Sequence, residues 1–217
     1  MKTHDDLAAR RDVLRIALAM DSAGFAPSKS GNVSTRAAQG FLITPSALPY
    51  ADTSEKDLVL LDLDGKVLAG KRHPSSEWRF HAAIYRARPE INAVVHTHSP
   101  RATALSTART GIPAFHYMIA IAGGHDIRCA PYATFGTQAL SDHAVAALAG
   151  RKATLLSNHG VIAIGASLDA AWAVAREVEN LAGQYLDVCA AGLKPVILGK
   201  AEMQRVLAQF AAYGRKS

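Results

Sequence analysis

The sequence has few cysteines and lacks the marks of a secreted or membrane protein. Only Cys129 and Cys189 occur among its 217 residues, which excludes a disulfide framework and a Cys-x-x-Cys metal site. No segment approaches the roughly 20 consecutive apolar residues that span a bilayer. The beginning of the sequence has neither the apolar core nor the cleavage site of a secretory signal. We therefore expect a cytoplasmic protein with reduced thiols and no membrane contact.

Long runs of like charge are also missing, although the chain is basic overall. The formal net charge is +6 and the calculated isoelectric point is near 9.5, values that occur in nucleic-acid-binding domains. Here the basic residues form short, scattered pairs such as Arg10-Arg11 and Arg151-Lys152, without an aromatic stacking motif. We expect no nucleic acid partner, but a modest positive field would attract a phosphorylated metabolite.

Internal repeats, low-complexity tracts and linkers are absent, so the chain fits one domain or at most two small ones. Apolar periodicity, capping residues and glycine or proline breaks predict both helices and strands. Helices are expected over about residues 6–23, 75–88, 100–107, 136–149, 167–190 and 200–213. Strands are expected after residue 31 and over about residues 40–44, 58–62, 66–68, 93–98, 127–131 and on both sides of a break at 159–160.

The stretch from Ala93 to His98 is the most informative part of the sequence. Ala93, Val94 and Val95 are small or β-branched and lie between Pro89 and Pro100, which favours a short buried strand. Side chains alternate between the faces of a strand, so His96 and His98 are expected to point the same way. Two imidazoles in this arrangement suit one metal ion, but a His-x-His pair alone is weak evidence.

Further metal ligands are expected from two other parts of the chain. His159 stands with Gly160 at a break between two apolar strands, which predicts a histidine exposed at a sheet edge and makes it the best candidate third ligand. Glu77 begins the helix that precedes the His-x-His strand. Ser75 or Ser76 as an N-cap and Glu77 in the first turn would also explain this segment without any chemistry.

Three imidazoles and one carboxylate match the ligands that Zn²⁺ prefers, with one position exchangeable in a catalytic site. Glu77 is the exchangeable candidate, because a carboxylate that leaves the metal becomes a base beside a Lewis acid. Small-residue loops, among them Ser30-Gly31-Asn32, can aim backbone N–H groups at an anion. Together these features suggest chemistry on a phosphorylated hydroxyketone.

Several motifs, in a fixed order, resemble those of the class II aldolase/adducin family, and within it the members that cleave L-fuculose 1-phosphate. The resemblance covers essentially the whole chain and rests on segments at residues 30–34, 43–46, 74–81, 92–98, 116–120, 130–137 and 151–156, on His159-Gly160 and on Phe210 with Tyr213. It implies a single domain over residues 1–217 with a three-layer α/β/α fold and a central, largely antiparallel mixed sheet. It also implies a homotetramer with active sites between subunits.

The resemblance further implies a role for individual residues. His96, His98 and His159 would hold one zinc ion, with Glu77 as the fourth ligand that moves off to act as acid and base. Tyr117 of a neighbouring subunit would protonate the aldehyde oxygen. The phosphate of dihydroxyacetone phosphate would be bound by Gly31, Asn32, Ser46, Ala47, Ser75 and Ser76, and the aldehyde end would be lined by Phe135, Phe210 and Tyr213.

The implied reaction is the reversible cleavage of a ketose 1-phosphate, such as L-fuculose 1-phosphate, to dihydroxyacetone phosphate and a small aldehyde such as lactaldehyde, through a metal-stabilised enediolate. Other phosphorylated sugars remain open as substrates, including 5-deoxyribulose and methylthioribulose 1-phosphates, as do decarboxylation and dehydration. A glutamate at position 77 favours aldol cleavage, because related epimerases carry aspartate there. A non-catalytic, adducin-like interaction module is disfavoured, since the three histidines and Glu77 are all present.

Two residues depart from the pattern of similar family members. Ala47 and Lys29 stand where those members have glycine and threonine. Ala47 is expected to donate its backbone N–H to the phosphate provided that its φ is negative, and Lys29 either strengthens phosphate binding or faces solvent.

Of the other histidines, His81, His116, His125 and His143 are expected to be hydrogen-bonded surface or supporting groups.

Overall fold

The computed structural model describes the backbone of residues 2–213 and the side chains of residues 7–212. Within these residues there are six α-helices, α1 to α6 in chain order: Lys2–Ser22, Trp78–Ala87, Pro100–Thr107, Gln138–Ala147, Leu168–Ala190 and Lys200–Tyr213. Eight strands, β1 to β8, span Asn32–Ala37, Gly40–Ile43, Val59–Leu61, Val67–Ala69, Ala93–Thr97, Arg128–Ala130, Ala153–Leu156 and Gly160–Gly165. In the same described range, no helix is both long enough and apolar enough to cross a membrane.

The eight strands form one mixed sheet in the order β4-β3-β2-β1-β5-β8-β7-β6. Every neighbouring pair is antiparallel except β6 with β7, which is parallel. The expectation of a largely antiparallel mixed sheet is therefore confirmed. Because β5 lies between β1 and β8, the residues at its end face two other strand ends, and His96 is paired with Asn32 on one side and Ile162 on the other.

Two hydrophobic cores cover the two faces of the sheet and produce three layers. Helices α1, α3, α5 and α6 pack on one face, and helices α2 and α4 pack on the other. Strand β5 shows the alternation clearly: Ala93 and Val95 belong to the first core and Val94 to the second. The predicted three-layer α/β/α architecture is confirmed, and α2 lies on the same face as the side chain of His96, whose ring contacts Phe80.

The predicted start of α2, at about residue 75, is three residues too early, because the helix begins at Trp78. Glu77, with φ of −100° and ψ of 11°, is the N-cap residue, and no side chain caps this helix. Ser75 instead accepts a hydrogen bond from the Glu77 N–H through its Oγ at 3.3 Å, and its own N–H donates to the Thr44 carbonyl. Ser75 and Ser76 thus belong to the loop before α2, because a backbone pairing between Pro45 and Pro74 holds that loop against the sheet.

Candidate metal centre and active site

Four side chains from three separate segments converge at one end of the sheet. Glu77, His96, His98 and His159 each offer one ligand atom, and these four atoms lie within 4.8 Å of one another. His96 Nε2 is 3.0 Å from His98 Nε2 and 3.2 Å from Glu77 Oε2, while His159 Nε2 is 3.1 Å from Glu77 Oε1. The structure brings together the full ligand set expected from the sequence.

Strand β5 positions the first two histidines. His96 is a fully buried strand residue, and His98 follows directly after the strand ends at Thr97. The His98 N–H donates to the Phe25 carbonyl at 2.8 Å, which keeps the backbone extended past the strand end. The two rings point the same way, with centroids 4.9 Å apart, as the alternation of strand side chains predicts.

The turn between β7 and β8 positions His159. Asn158 adopts a left-handed conformation with φ of 54°, a region that asparagine tolerates better than most residues. A Cβ at Gly160 would lie only 2.4 Å from the Thr97 carbonyl oxygen, so glycine allows the close approach of β8 to the end of β5. His159 therefore sits at the break between β7 and β8, at one end of the sheet, where 11% of its side chain is exposed.

The hydrogen bonds of the cluster favour a bound cation. His96 donates from Nδ1 to the Val161 carbonyl at 2.8 Å, which turns its Nε2 toward the other ligand atoms. Burial, together with the neighbouring His96 and His159, lowers the pKa of His98 to about 3. Imidazole nitrogens that converge at this distance repel one another through their protons or their lone pairs, and a metal ion between them removes this repulsion.

Glu77 completes the same argument. Burial by itself raises the pKa of this carboxyl, but the adjacent His96 and His159 outweigh burial and hold the pKa well below its usual range. Its Oε2 accepts a hydrogen bond from Asn32 Nδ2 at 3.0 Å. Its Oε1 is buried and forms no hydrogen bond of good geometry with a described residue, although His159 Nε2 lies 3.1 Å away. A buried, ionised oxygen of this kind requires a positive partner, and a metal ion fits that requirement.

A cleft of about 300 Å³ opens beside the cluster. Its walls include His98, His159 and Glu77, together with every residue expected to bind phosphate: Gly31, Asn32, Ser46, Ala47, Ser75 and Ser76. A Cβ at Gly31, where φ is 77°, would lie 2.6 Å from the His96 carbonyl oxygen, so only glycine fits between the loop and β5. Lys29 also lines the cleft, and no carboxylate of a described side chain forms an ion pair with it.

The condition set for Ala47 is not met, because its φ is positive at 60°. An L-residue with a Cβ is strained in this left-handed region, where glycine is not. Among the described residues, the Ala47 N–H donates to no backbone or side-chain acceptor and is free for a ligand. Lys29, with φ of 66°, is held in the same unusual region.

Replacing Ala47 with glycine is expected to stabilise the protein by up to ~1 kcal/mol, because relief of left-handed strain exceeds the added flexibility of the unfolded chain. The matched control is Ala166→Gly, at an exposed alanine without positive φ, which should instead destabilise by roughly 0.4–1 kcal/mol. Thermal or urea unfolding of the two variants checks the opposite signs. Equal destabilisation by both would contradict the strain at Ala47.

The other wall of the cleft is only partly the one expected. Phe135 lines it, as predicted, and is 64% exposed. Tyr132 and Asn158 line it too, although neither was assigned there from the sequence. Arg109 lies behind them, donating to Asn158 Oδ1 at 2.8 Å with its guanidinium 5.8 Å from the centre of the Tyr132 ring.

Tyr117 and Phe210 do not line the cleft of their own chain. Tyr117 begins a 3-10 helix and is 51% exposed. Phe210 packs against the core on the α5 and α6 face of the sheet, and the side chain of Tyr213 lies outside the described residues. In a single chain, therefore, the structure does not bring Tyr117 or Phe210 to the metal cluster.

His81 is a residue whose part in the site was underestimated from the sequence. It is fully buried, and its ring nitrogens contact Asn32 and Ser34. Its position four residues after Glu77 places it one helical turn further along α2 on the face toward the sheet. This spacing was a signal that could have been used, because it predicts that Glu77 and His81 share a side of the helix.

Comparisons with known proteins agree with this geometry. A profile of the class II aldolase and adducin N-terminal domain matches residues 11–186. The chain is 50% identical, over 96% of its length and 93% of the relative's, to a 5-methylthioribulose-1-phosphate/5-deoxyribulose-1-phosphate aldolase of Rhodospirillum rubrum. It is 48% identical, over 94% of each chain, to the L-fuculose phosphate aldolase of Escherichia coli strain K12. A solved structure of an L-fuculose 1-phosphate aldolase matches with a TM-score of 0.91 at 36% identity, covering 97% of this chain and 98% of that one.

The chain belongs to the class II aldolase/adducin family. Within that family it is a class II aldolase, a lyase that breaks and forms carbon–carbon bonds. The resemblance drawn from the motifs, including its similarity to L-fuculose-phosphate aldolases, is thereby confirmed.

Proposed function

We propose that this aldolase cleaves a ketose 1-phosphate, L-fuculose 1-phosphate or a close analogue, reversibly to dihydroxyacetone phosphate and a small aldehyde. The observation that carries the proposal is the adjacency of a Glu/His cluster and a cleft lined by small, hydroxyl-bearing residues. The cluster provides a place for a metal ion and a base, and the cleft provides N–H and O–H donors for a phosphate. A ketose 1-phosphate carries its carbonyl and its phosphate on adjacent carbons, so neighbouring sites can bind both groups.

The proposed cofactor is one zinc ion per subunit, held by His96, His98 and His159 with Glu77 as fourth ligand. Three nitrogen donors and one carboxylate, all close enough to meet on one ion, are the set that zinc prefers. A bound zinc ion would act as a Lewis acid and stabilise the negative charge that develops on the oxygens of the ketone and its neighbouring carbon.

The proposed role of Glu77 is to carry the proton at the carbon that becomes the nucleophile. Its Oε1, which no described residue supplies with a hydrogen bond, is the oxygen available for that proton. Its Oε2 stays hydrogen-bonded to Asn32, so the carboxylate keeps one fixed contact while the other oxygen changes partner.

The proposed phosphate site lies where the three small-residue loops meet. The hydroxyls of Ser46 and Ser76 are exposed to the cleft, and the Ala47 N–H has no acceptor among the described residues. The Lys29 ammonium on the same wall adds a positive charge. Neutral donors in a strained loop and one nearby cation together suit a dianionic group.

We also propose that the chain forms one domain and a homotetramer in which each active site is completed by a neighbouring subunit. Tyr117 supports this assembly, since it is 51% exposed yet lies away from the cleft of its own chain. Exposed apolar side chains at Leu193, Val196 and Ile197 provide further surface that contact with another subunit would cover. Tyr117 of the neighbour would then protonate the aldehyde oxygen.

Tyr117→Phe is expected to slow carbon–carbon cleavage more than it slows exchange of the proton at the ketose-fragment carbon, because only making or breaking that bond moves a proton at the aldehyde oxygen: the oxygen gains it in synthesis and loses it in cleavage. Co-expression of Tyr117→Phe with Glu77→Gln subunits should give mixed oligomers more active than either parent, since some sites then combine an intact Glu77 with an intact Tyr117. Subunits that complete their own sites would show no such gain, and that result would contradict the shared site.

Relatives named for two kinds of ketose 1-phosphate are similar to this chain at 50% and 48% identity. The ketose phosphates in the names of these relatives release different aldehydes on cleavage. Fuculose 1-phosphate gives lactaldehyde, 5-deoxyribulose 1-phosphate gives acetaldehyde, and methylthioribulose 1-phosphate gives methylthioacetaldehyde. A methyl or thioether difference in a pocket is worth only ~1–3 kcal/mol, so several substrates can be turned over. A panel of ketose 1-phosphates assayed for release of dihydroxyacetone phosphate tests the proposal, and no release from any member would refute it.

A further inference from the structure

A row of polar side chains runs from Glu77 into the core between the sheet and α2. Asn32 contacts Glu77 Oε2 at 3.0 Å, His81 Nε2 contacts Asn32 Oδ1 at 2.5 Å, and Ser34 Oγ lies 2.7 Å from His81 Nδ1. Tyr85 OH ends the row, 2.7 Å from Ser34 Oγ. Asn32 is 3% exposed, Ser34 and His81 are 0% exposed and Tyr85 is 1% exposed, so water does not compete for these contacts.

The chemistry of the two ends fixes the direction of every hydrogen bond in the row. A carboxylate only accepts, so the Asn32 amide nitrogen donates to Glu77 and the Asn32 amide oxygen faces His81. His81 must then carry its proton on Nε2, which leaves Nδ1 to accept from the Ser34 hydroxyl. Ser34, having donated, accepts from the Tyr85 hydroxyl. All donors therefore point toward Glu77.

The opposite arrangement would be unfavourable at Glu77. If His81 carried its proton on Nδ1, the Asn32 amide would turn its nitrogen toward His81 and its oxygen toward the carboxylate, bringing two acceptors together. A protonated His81 is also disfavoured, since burial lowers its pKa to about 3. The ring is held in place by stacking on Phe80, with centroids 4.6 Å apart. His81 thus has one tautomer and one orientation.

We propose that His81 is a positioning residue for Glu77, acting through the amide of Asn32. By donating to Asn32 Oδ1, His81 keeps the Asn32 nitrogen on Glu77 Oε2 and leaves Oε1 as the oxygen that exchanges metal and proton. These contacts use one N–H of Asn32 Nδ2 and its Oδ1, so the second N–H of the amide and the backbone N–H remain for a ligand in the cleft. This inference rests on the proposed role of Glu77 as acid and base.

The test compares three substitutions along the row. His81→Leu removes the donor at similar volume, His81→Gln can still donate from its amide to Asn32, and Tyr85→Phe removes the far hydroxyl while Ser34 still donates to His81. For His81→Leu, kcat is expected to fall on the order of 10–100-fold, with KM and zinc content close to those of the wild type. His81→Gln should recover most of the loss, and Tyr85→Phe should leave kcat unchanged.

A second measurement does not depend on turnover. In cobalt-substituted protein without substrate, the visible absorption of the metal should change in His81→Leu, because the Glu77 carboxylate is no longer held, and should be unchanged in Tyr85→Phe. If wild-type protein releases no dihydroxyacetone phosphate, the proposed function fails, whereas the cobalt spectra still decide the positioning role.

A purely structural row would give a different pattern. His81→Leu and Tyr85→Phe would then both lower the melting temperature while the folded protein kept its wild-type kcat and cobalt spectrum, and that outcome would overturn the proposal. If His81→Leu does not fold, His81→Gln is compared with His81→Asn, whose shorter amide is withdrawn from Asn32. The proposal requires the asparagine variant to be the slower one, and equal kcat values for both would also overturn it.

Discussion

Glu77→Gln is expected to lower turnover by roughly 10²–10⁴-fold, the range for loss of a general acid or base. Glutamine has nearly the same shape and can still accept from Asn32 Nδ2, which is 3.0 Å from Glu77 Oε2. It cannot carry the proton, because an amide is neutral over the whole working pH range. Zinc content and the KM for the phosphorylated substrate should stay near the wild-type values, since His96, His98 and His159 remain. Steady-state kinetics and metal analysis of the same sample measure all three quantities.

The control for this substitution is Glu90→Gln, which removes a negative charge from an exposed carboxylate paired with Arg88. It should leave turnover unchanged, which separates the loss of Glu77 from a general change in charge. A Glu77→Gln variant that turns over at the wild-type rate with full zinc content would rule out Glu77 as the base. A variant that loses zinc as well would show that the carboxylate is needed mainly as a ligand.

His96→Ala is expected to abolish metal binding and, with it, activity. His96 is fully buried at the centre of the cluster, with its Nε2 3.0 Å from His98 Nε2 and 3.2 Å from Glu77 Oε2. Removing it leaves two imidazoles and a carboxylate, and loses the nitrogen that the Val161 carbonyl holds in the metal-binding tautomer. Zinc should fall from about one ion per chain, the amount expected for a four-ligand site, to a small fraction of that.

His143→Ala serves as the comparison, since His143 lies on α4 outside the cluster and its Nδ1 is 3.2 Å from the Pro131 carbonyl oxygen. Its zinc content should match that of the wild type. Full metal occupancy in His96→Ala would refute the assignment of the centre. Chelation of the wild-type protein offers an independent check, because loss and regain of activity on removal and return of Zn²⁺ must follow if the metal is catalytic.

The two experiments separate two tasks that one cluster combines. Loss of His96 should remove the metal and the chemistry together, whereas loss of the Glu77 proton-carrying group should remove the chemistry alone. The hydrogen bond from Asn32 makes this separation possible, because it holds the residue-77 side chain even when the metal is not its partner.

Most secondary structure could be predicted from the sequence because its signals are local. Strand β5, the hairpin of β7 and β8, and the long helix α5 with its Ser167 cap all lie where the pattern placed them. The start of α2 was placed too early, because serines near a helix start resemble N-caps even when a loop pairing, here between Pro45 and Pro74, holds them elsewhere.

The ligand set was also within reach of the sequence. Alternation along a strand fixes the relation of His96 to His98, and a break between two apolar strands exposes a histidine at a strand end. What the sequence could not give was the hydrogen-bonding state of these residues. Glu77 Oε1 lacks a donor, and Asn32 serves Glu77, only because β1, β5 and α2 meet in one particular register.

The sequence by itself determined the family, the four candidate ligands and the loops that border the cleft, since each depends on residue types at short spacing. Only the tertiary structure decided that Ala47 is left-handed, that His81 is buried behind Asn32, and that Tyr117 lies away from the cleft of its own chain. These features depend on which distant segments pack together. Backbone strain, the choice of tautomer and exposure are set by those neighbours, and local sequence carries little information about them.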